Sequence, residues 1–163
     1  MPTIRAIIGP LLLVPSEIEQ DRSEATDLIV LRARDMRIGV RMRRPGYAER
    51  YPFDFTIRRS RDNGAQTELA KIIAGWGDWL FYGHAGKADE IERWFLVDLA
   101  AWRAAAICHG ARAGNPRTKS NGDGTRLTAF DLRHYNRSIL ISSSHPVPTL
   151  GVQETQFADA VSY

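Results

Sequence analysis

The spacing of apolar and polar positions changes along the chain, and each change marks an element. Ala6 to Val14 is an apolar run broken by Gly9 and Pro10, which reads as a buried first strand or segment. Residues 16–25 are polar; Ser16 is placed to cap a short helix or turn, with Glu19 at the capping-box position. Asp27 to Ala33 reads as a strand, and Arg34-Asp35-Met36 as a tight turn. From Arg37 to Arg44 the sequence alternates, with Ile38, Val40 and Met42 on one face and Arg37, Gly39, Arg41 and Arg43 on the other. Pro45-Gly46 stops that strand, and a loop from Tyr47 to Pro52 leads to a third, Phe53 to Arg59.

After a turn at Asp62-Asn63-Gly64 the period becomes helical. Gln66 to Ala74 carries an apolar stripe of Leu69, Ile72 and Ile73, and Gly75 and Gly77 end it. Trp79 to Tyr82 is a largely apolar fourth strand suited to a covered sheet. Asp89 to Trp94 reads as a short helix, Phe95 to Asp98 as a strand, and Leu99 to His109 as a second sizeable helix. Residues 110–124 are rich in turn formers and read as a mobile loop, and Ser138 to Ser142 as a last strand. The order predicts one mixed α/β (α+β) domain over residues 1–163. Its central mixed sheet contains an antiparallel meander of the first three strands, helices flank it, and the fourth strand returns by a crossover.

Charge changes this picture. Ten arginines and three acids fall between Arg32 and Arg61, giving that window +7, whereas the whole chain is +3, so the remainder is −4. Of the 22 basic residues only Lys71, Lys87 and Lys119 are lysines. A guanidinium presents a rigid fork to phosphate and stacks on bases, so the window points to a polyanion, DNA or RNA. Arginine-favouring codon usage gives the same composition.

Other classes are bounded more briefly. A lone cysteine, Cys108, excludes an intramolecular disulfide and a cysteine-rich metal site, and points to the cytoplasm. The apolar start is too short and too broken for a signal peptide, and no stretch approaches the length of a membrane span. There is no phosphate-binding Walker pattern and no dinucleotide glycine motif. His84, His109, His134 and His145 lack zinc-site spacing, and His84 reads as a surface residue. The aromatics cluster downstream and read as core, with Trp76, between two glycines, as the exposed one.

The order of leading helix, three strands, helix and returning strand resembles the PD-(D/E)XK nuclease superfamily over residues 16–100. The resemblance implies a restriction-endonuclease-like core. It places Asp27 as the first acid, Glu19 or Glu24 as the helical glutamate, and Arg41-Met42-Arg43 where an acid-x-Lys pair belongs. Arg41 has no acceptor for a metal. Arg43 takes the lysine's role toward phosphate, and Asp54 or Glu68 supplies the further carboxylate. Glu68 and Lys71, at i and i+3, share one helical face. The resemblance thus implies a Mg²⁺-dependent phosphodiesterase, with Asp27, Glu19 and Asp54 on the metal and Arg43, Glu68 and Lys71 assisting.

Plainer readings stay open beside it. Asp27 serves as a strand-start acid, Glu19 as a cap, and Glu68–Lys71 as a solvated pair. Arg37, Arg41 and Arg43, with Arg58 and Thr56 facing them from the third strand, repel one another unless an acid or a phosphate intervenes. Either Asp27, Asp54 and Glu68 neutralise them internally or a nucleic-acid backbone does. The reading is a nucleic-acid-binding protein with this nuclease chemistry. The alternatives are a catalytically inactive nuclease-like DNA-binding module, and a phage accessory or protein-interaction protein without enzymatic activity.

Overall fold

A computed structural model describes residues 2–15, 28–30, 36–87, 90–109 and 116–150, with the backbone alone at 12–15, 28–30 and 107–109. The sequence reads as one domain; the chain divides into two compact units, Met1–Met36 and Arg37–Tyr163.

The first unit begins with a helix, α1 (Pro2–Ile8), and a 3-10 turn at Gly9–Leu12. The expected strand over Ala6 to Val14 is therefore confined to its end, β1 (Leu13–Pro15), which pairs antiparallel with β2 (Leu28–Val30). Ile4 and Ile8, four residues apart, are both buried and so lie on one helical face, while Gly9-Pro10 ends the α-helical geometry. The expected helical segment at 16–25 lies outside the described residues.

The second unit contains two sheets. One is four-stranded and mixed, in the order β3 (Ile38–Arg43), β5 (Trp79–Ala85), β6 (Ile91–Asp98), β9 (Leu140–Ser143). The other is antiparallel, in the order β4 (Asp54–Arg61), β8 (Thr125–Asp131), β7 (Arg117–Ser120). Among the described residues three α-helices accompany them: a single turn, α2 (Tyr47–Arg50), then α3 (Glu68–Ile73) and α4 (Leu99–His109). The mixed α/β class, with a mixed sheet, antiparallel strands and a few helices, is as the sequence predicts.

The strand pairing differs from the meander. β2 pairs with β1, β3 runs parallel to β5, and β4 pairs with β8, so the three expected neighbours lie in three sheets. Local alternation identifies a strand but not its partner, because the partner is chosen by which apolar faces can be buried together. The crossover expected for the fourth strand is present as the parallel β3–β5 pair.

Two further readings change. The segment expected to be a helix at Asp89 to Trp94 contributes Ile91 to Trp94 to β6, in continuous antiparallel register with β5 from Trp79↔Asp98 to His84↔Arg93. Its charges imitate a helix surface, but Glu92 and Arg93 occupy the outer end of a strand and Glu90 immediately precedes it. The loop predicted over 110–124 is ordered in its second half: Arg117–Ser120 is β7, joined by a turn to β8. Residues 110–115 lie outside the description.

The core lies where the two sheets and α4 meet. Phe55 on β4 stacks on Phe130 of β8, ring centres 5.4 Å apart, and meets Tyr82 of β5 and Trp102 of α4 edge-on at 6.4 and 5.9 Å. Such pairs add to the hydrophobic gain from burial. The indole Nε1–H of buried Trp102 donates to the Tyr135 hydroxyl at 3.2 Å, so the ring is buried without losing its hydrogen bond. Ile72 and the half-buried Leu69 fasten α3 to this core, whereas Ile73, the third member of the expected stripe, is exposed.

Phe55 touches every layer of this core, so Phe55→Ala should lower unfolding free energy by about 3–5 kcal/mol. Urea denaturation followed by tryptophan fluorescence measures it; a loss below about 1 kcal/mol would show that the sheets are held together elsewhere.

Candidate nucleic-acid interface

β3 and β4 are the outermost described strands of their respective sheets, and the site forms along these two edges. Residues 39, 41 and 43 of β3 share the face that carries Leu80, Tyr82 and His84 of β5, because Gly39, Arg41 and Arg43 stand opposite those residues in register. The arginine row thus points toward the inner side of the sheet, at its rim. The apolar row is turned outward, with Val40 and Met42 each 40% exposed.

Glu68 links the two edges. It is the first residue of α3, whose start is fixed by Thr67: the Thr67 hydroxyl donates to the Arg59 carbonyl at 3.0 Å and accepts the Ala70 N–H at 3.4 Å. One Glu68 oxygen then accepts both the Arg41 guanidinium and the backbone N–H of Arg58, the latter at 3.0 Å. Glu68 is therefore not half of a solvated pair with Lys71. It neutralises Arg41 and satisfies an amide on the open edge of β4. Thr56 on β4 makes a second link, its hydroxyl 3.1 Å from the Tyr82 hydroxyl.

On one side of these links is a crevice of about 500 Å³, lined by Arg41, Arg58, Arg61, Glu68, Lys71 and Trp76, among others. A bulge between Arg58 and Ser60 breaks the β4–β8 register there. Arg58 Nε is buried and has no hydrogen-bond partner. The described residues show no ion pair for Arg58, Arg61 or Lys71. Trp76 is 60% exposed, as the glycines around it predict. Gly75, at φ +90°, closes α3 with bonds from the Trp76 N–H to the Lys71 carbonyl and from its own N–H to the Ile72 carbonyl, both 3.0 Å, and this turns the indole outward. Arg37, paired with Asp78, stands 5.8 Å from the indole centre.

On the other side is a smaller pocket of about 200 Å³, whose lining includes Arg43, Tyr47, Tyr51, Asp54, His84, Arg117 and Lys119. Gly46, in the left-handed region at φ +82°, turns the chain into α2, and the Arg43 guanidinium lies 4.4 Å from the Tyr47 ring centre. Asp54 is ion-paired with Arg117 and stands opposite Asp131, which holds Arg133 through bonds of 3.0 and 2.6 Å. Burial raises the Asp54 carboxyl above its usual range, with Arg117 opposing the shift. Burial works the same way on Asp131, but there the Arg133 hydrogen bonds prevail and hold it below the usual range.

His84 is not a surface residue. It is 1% exposed, and its ring meets those of Tyr82 and Phe95 edge-on. Burial, and then the positive charges of Arg93 and Arg43, push its pKa down to about 4, so the imidazole is neutral near pH 7. Its Nδ1 has no hydrogen-bond partner.

The expected site residues are thus distributed. Arg41, Arg58, Glu68 and Lys71 meet in the crevice, while Arg43 and Asp54 line the pocket. The expectation that Thr56 and Arg58 face the arginine row across one ladder gives way to contact between two sheets. Asp54 and Glu68 are separate: Glu68 engages β4 at Arg58, four residues or about 13 Å along the strand from Asp54. Among the described residues no three His, Cys, Asp or Glu side chains converge on a metal position. Asp27, Glu19 and Glu24 lie outside the described residues. The sequence reading missed Tyr47, Tyr51, Arg117 and Lys119; the four-residue spacing of Arg43, Tyr47 and Tyr51 was its available signal. Comparison with known proteins finds no match among family models, curated proteins or solved structures.

The unfolded chain protonates His84 near pH 6.5 and the folded chain only near pH 4, so the folded state binds fewer protons between these values. Stability should therefore fall as pH drops from about 6.5 to about 4, by at most about 3 kcal/mol from this residue. Urea melts of wild type and His84→Gln across that range test this; equal pH slopes would remove His84 as the cause. Separately, Glu68→Ala leaves Arg41 and the Arg58 N–H unpaired and should cost about 1–3 kcal/mol, whereas a loss as small as that of Lys71→Ala would deny Glu68 its linking role.

Proposed function

We propose that the protein binds nucleic acid along the crevice between β3 and β4. The observation that carries this reading is the set of cations left over after internal pairing. Glu68 accounts for Arg41, and Arg58, Arg61 and Lys71 remain beside an exposed tryptophan. Arg58 is half-buried with an unpaired Nε, Arg61 and Lys71 are exposed beside it, and a phosphodiester backbone supplies anions at regular spacing for such a group of cations. Trp76 offers a face on which an unpaired base stacks. In this reading Arg41 and Arg37 hold the scaffold, and Arg58, Arg61 and Lys71 contact phosphate.

The engagement of both Asp54 and Glu68 by arginines supports binding without cleavage, the nuclease-like binding module among the alternatives. The helix–strand order that resembles PD-(D/E)XK nucleases supports the catalytic version, with Mg²⁺ on Asp27, Glu19 and Asp54.

Fluorescence anisotropy with labelled single- and double-stranded DNA and RNA tests the reading. Affinity should fall steeply between about 50 and about 200 mM salt. Arg61→Gln should reduce the slope of log K against log salt by about 0.7 for single strands and about 0.9 for duplex. Trp76→Ala should weaken single-strand binding more than duplex binding. Absence of binding to every nucleic acid at low salt would overturn the proposal. Metal-dependent cleavage lost in Asp27→Ala would instead establish the phosphodiesterase.

A further inference from the structure

The pocket on the far side of the Thr56–Tyr82 link has a chemistry different from the crevice, and nothing in backbone binding along the crevice requires it. Three cations, Arg43, Arg117 and Lys119, line it against one acid, Asp54, which Arg117 already holds. That excess calls for an anion. Two tyrosines from one helical turn also line it: Tyr47 lies under the Arg43 guanidinium, and Tyr51 is 41% exposed. Their ring centres are 6.0 Å apart at 37°, too close to admit a plane between them, so the free face of Tyr51 is the stacking surface. Behind them the wall contains His84, 1% exposed and with an unpaired ring nitrogen, and the hydroxyls of Thr56 and Thr118.

Tyr51 offers ring surface beside these cations, so the lining suits a ligand that is both anionic and aromatic. An inorganic anion would use the cations but leave the tyrosines idle. A neutral aromatic would use the rings but not the cations. A volume of about 200 Å³ has room for one aromatic base, with its charged group at the mouth, and no room for a base pair.

We propose that this pocket takes a single nucleotide, with phosphate on Arg43 and Lys119 and the base against Tyr51. The same chemistry comes from a free nucleoside monophosphate or from the unstacked terminal nucleotide of a strand. The inference stands on the pocket's geometry and does not depend on binding along the crevice.

Titration calorimetry on the full chain with AMP, GMP, CMP and UMP tests it, with inorganic phosphate and the matching nucleosides as controls. At least one monophosphate should bind about tenfold or more tightly than phosphate or its own nucleoside, since both halves are recognised. Arg43→Gln should lose about tenfold in monophosphate affinity, and Tyr51→Ala should bring the monophosphate close to inorganic phosphate. Melting curves show whether each variant is folded; if Arg43→Gln is not, Lys119→Gln at the mouth serves in its place. Competition of the monophosphate by a 5′-phosphorylated oligonucleotide, but not by its 5′-hydroxyl form, identifies a strand end as the source. Absence of competition by either identifies the free nucleotide. No monophosphate binding at millimolar concentration, phosphate binding as tight as nucleotide, or affinity unchanged in both cation variants would overturn the proposal. Each of these results leaves crevice binding, read with longer strands, to be judged separately.

Discussion

Two sheets with open edges need something to hold those edges in place, and here one carboxylate supplies it. Glu68 sits at the first position of a short helix whose N-terminus is anchored to β4 by Thr67. From there it receives a guanidinium from β3 and a backbone amide from β4. With both partners in place, a half-buried arginine and an otherwise unpaired strand amide become a joint between sheets. The Thr56–Tyr82 hydrogen bond continues it, and the aromatic cluster around Phe55 fills the space beneath.

This joint divides the basic surface. Arginines that a linear reading treats as one row have separate tasks. Arg41 is consumed by the joint, Arg37 by Asp78, and Arg43 lies over Tyr47. Arg58 and Arg61 remain on the crevice side with Lys71. Internal neutralisation, one of the two explanations the sequence offers for the charge, therefore accounts for Arg37 and Arg41 and, among the described residues, does not extend to Arg58, Arg61 and Lys71. The acids tell the same story: Asp54 and Glu68, both candidates for a metal, are held by arginines at positions far apart on β4.

The neutral His84 follows from the same arrangement. The strand that carries it is buried along its length, and Arg93 and Arg43 flank it with positive charge. A protonated imidazole would be both desolvated and repelled, so the residue becomes a polar but uncharged wall. Its neighbours on the pocket side are the side chains with unspent charge and aromatic surface, which is why the pocket and the crevice differ in chemistry although they share a boundary.

Much of the local structure is written in the sequence. The alternation in β3, the cap and glycine stop of α3, the long α4 and the outward indole of Trp76 depend on residues within a few positions of one another. The mixed α/β class and the basic window follow from the same local information. Which strand lies beside which does not, because period-two patterning looks the same whether β3 pairs with β4 or runs parallel to β5. The Asp89–Trp94 segment shows the limit within a single element: charged residues at a strand end imitate a helix until β5 provides the register. Only the tertiary structure decided that Glu68 belongs to Arg41 rather than Lys71, that His84 is buried, and that Arg117 and Lys119 of the supposed loop come to stand beside Arg43. Glu68 and Arg41 are 27 residues apart, and His84 is buried by packing between strands, so sequence spacing carries no signal for these contacts made by burial and charge between separate elements.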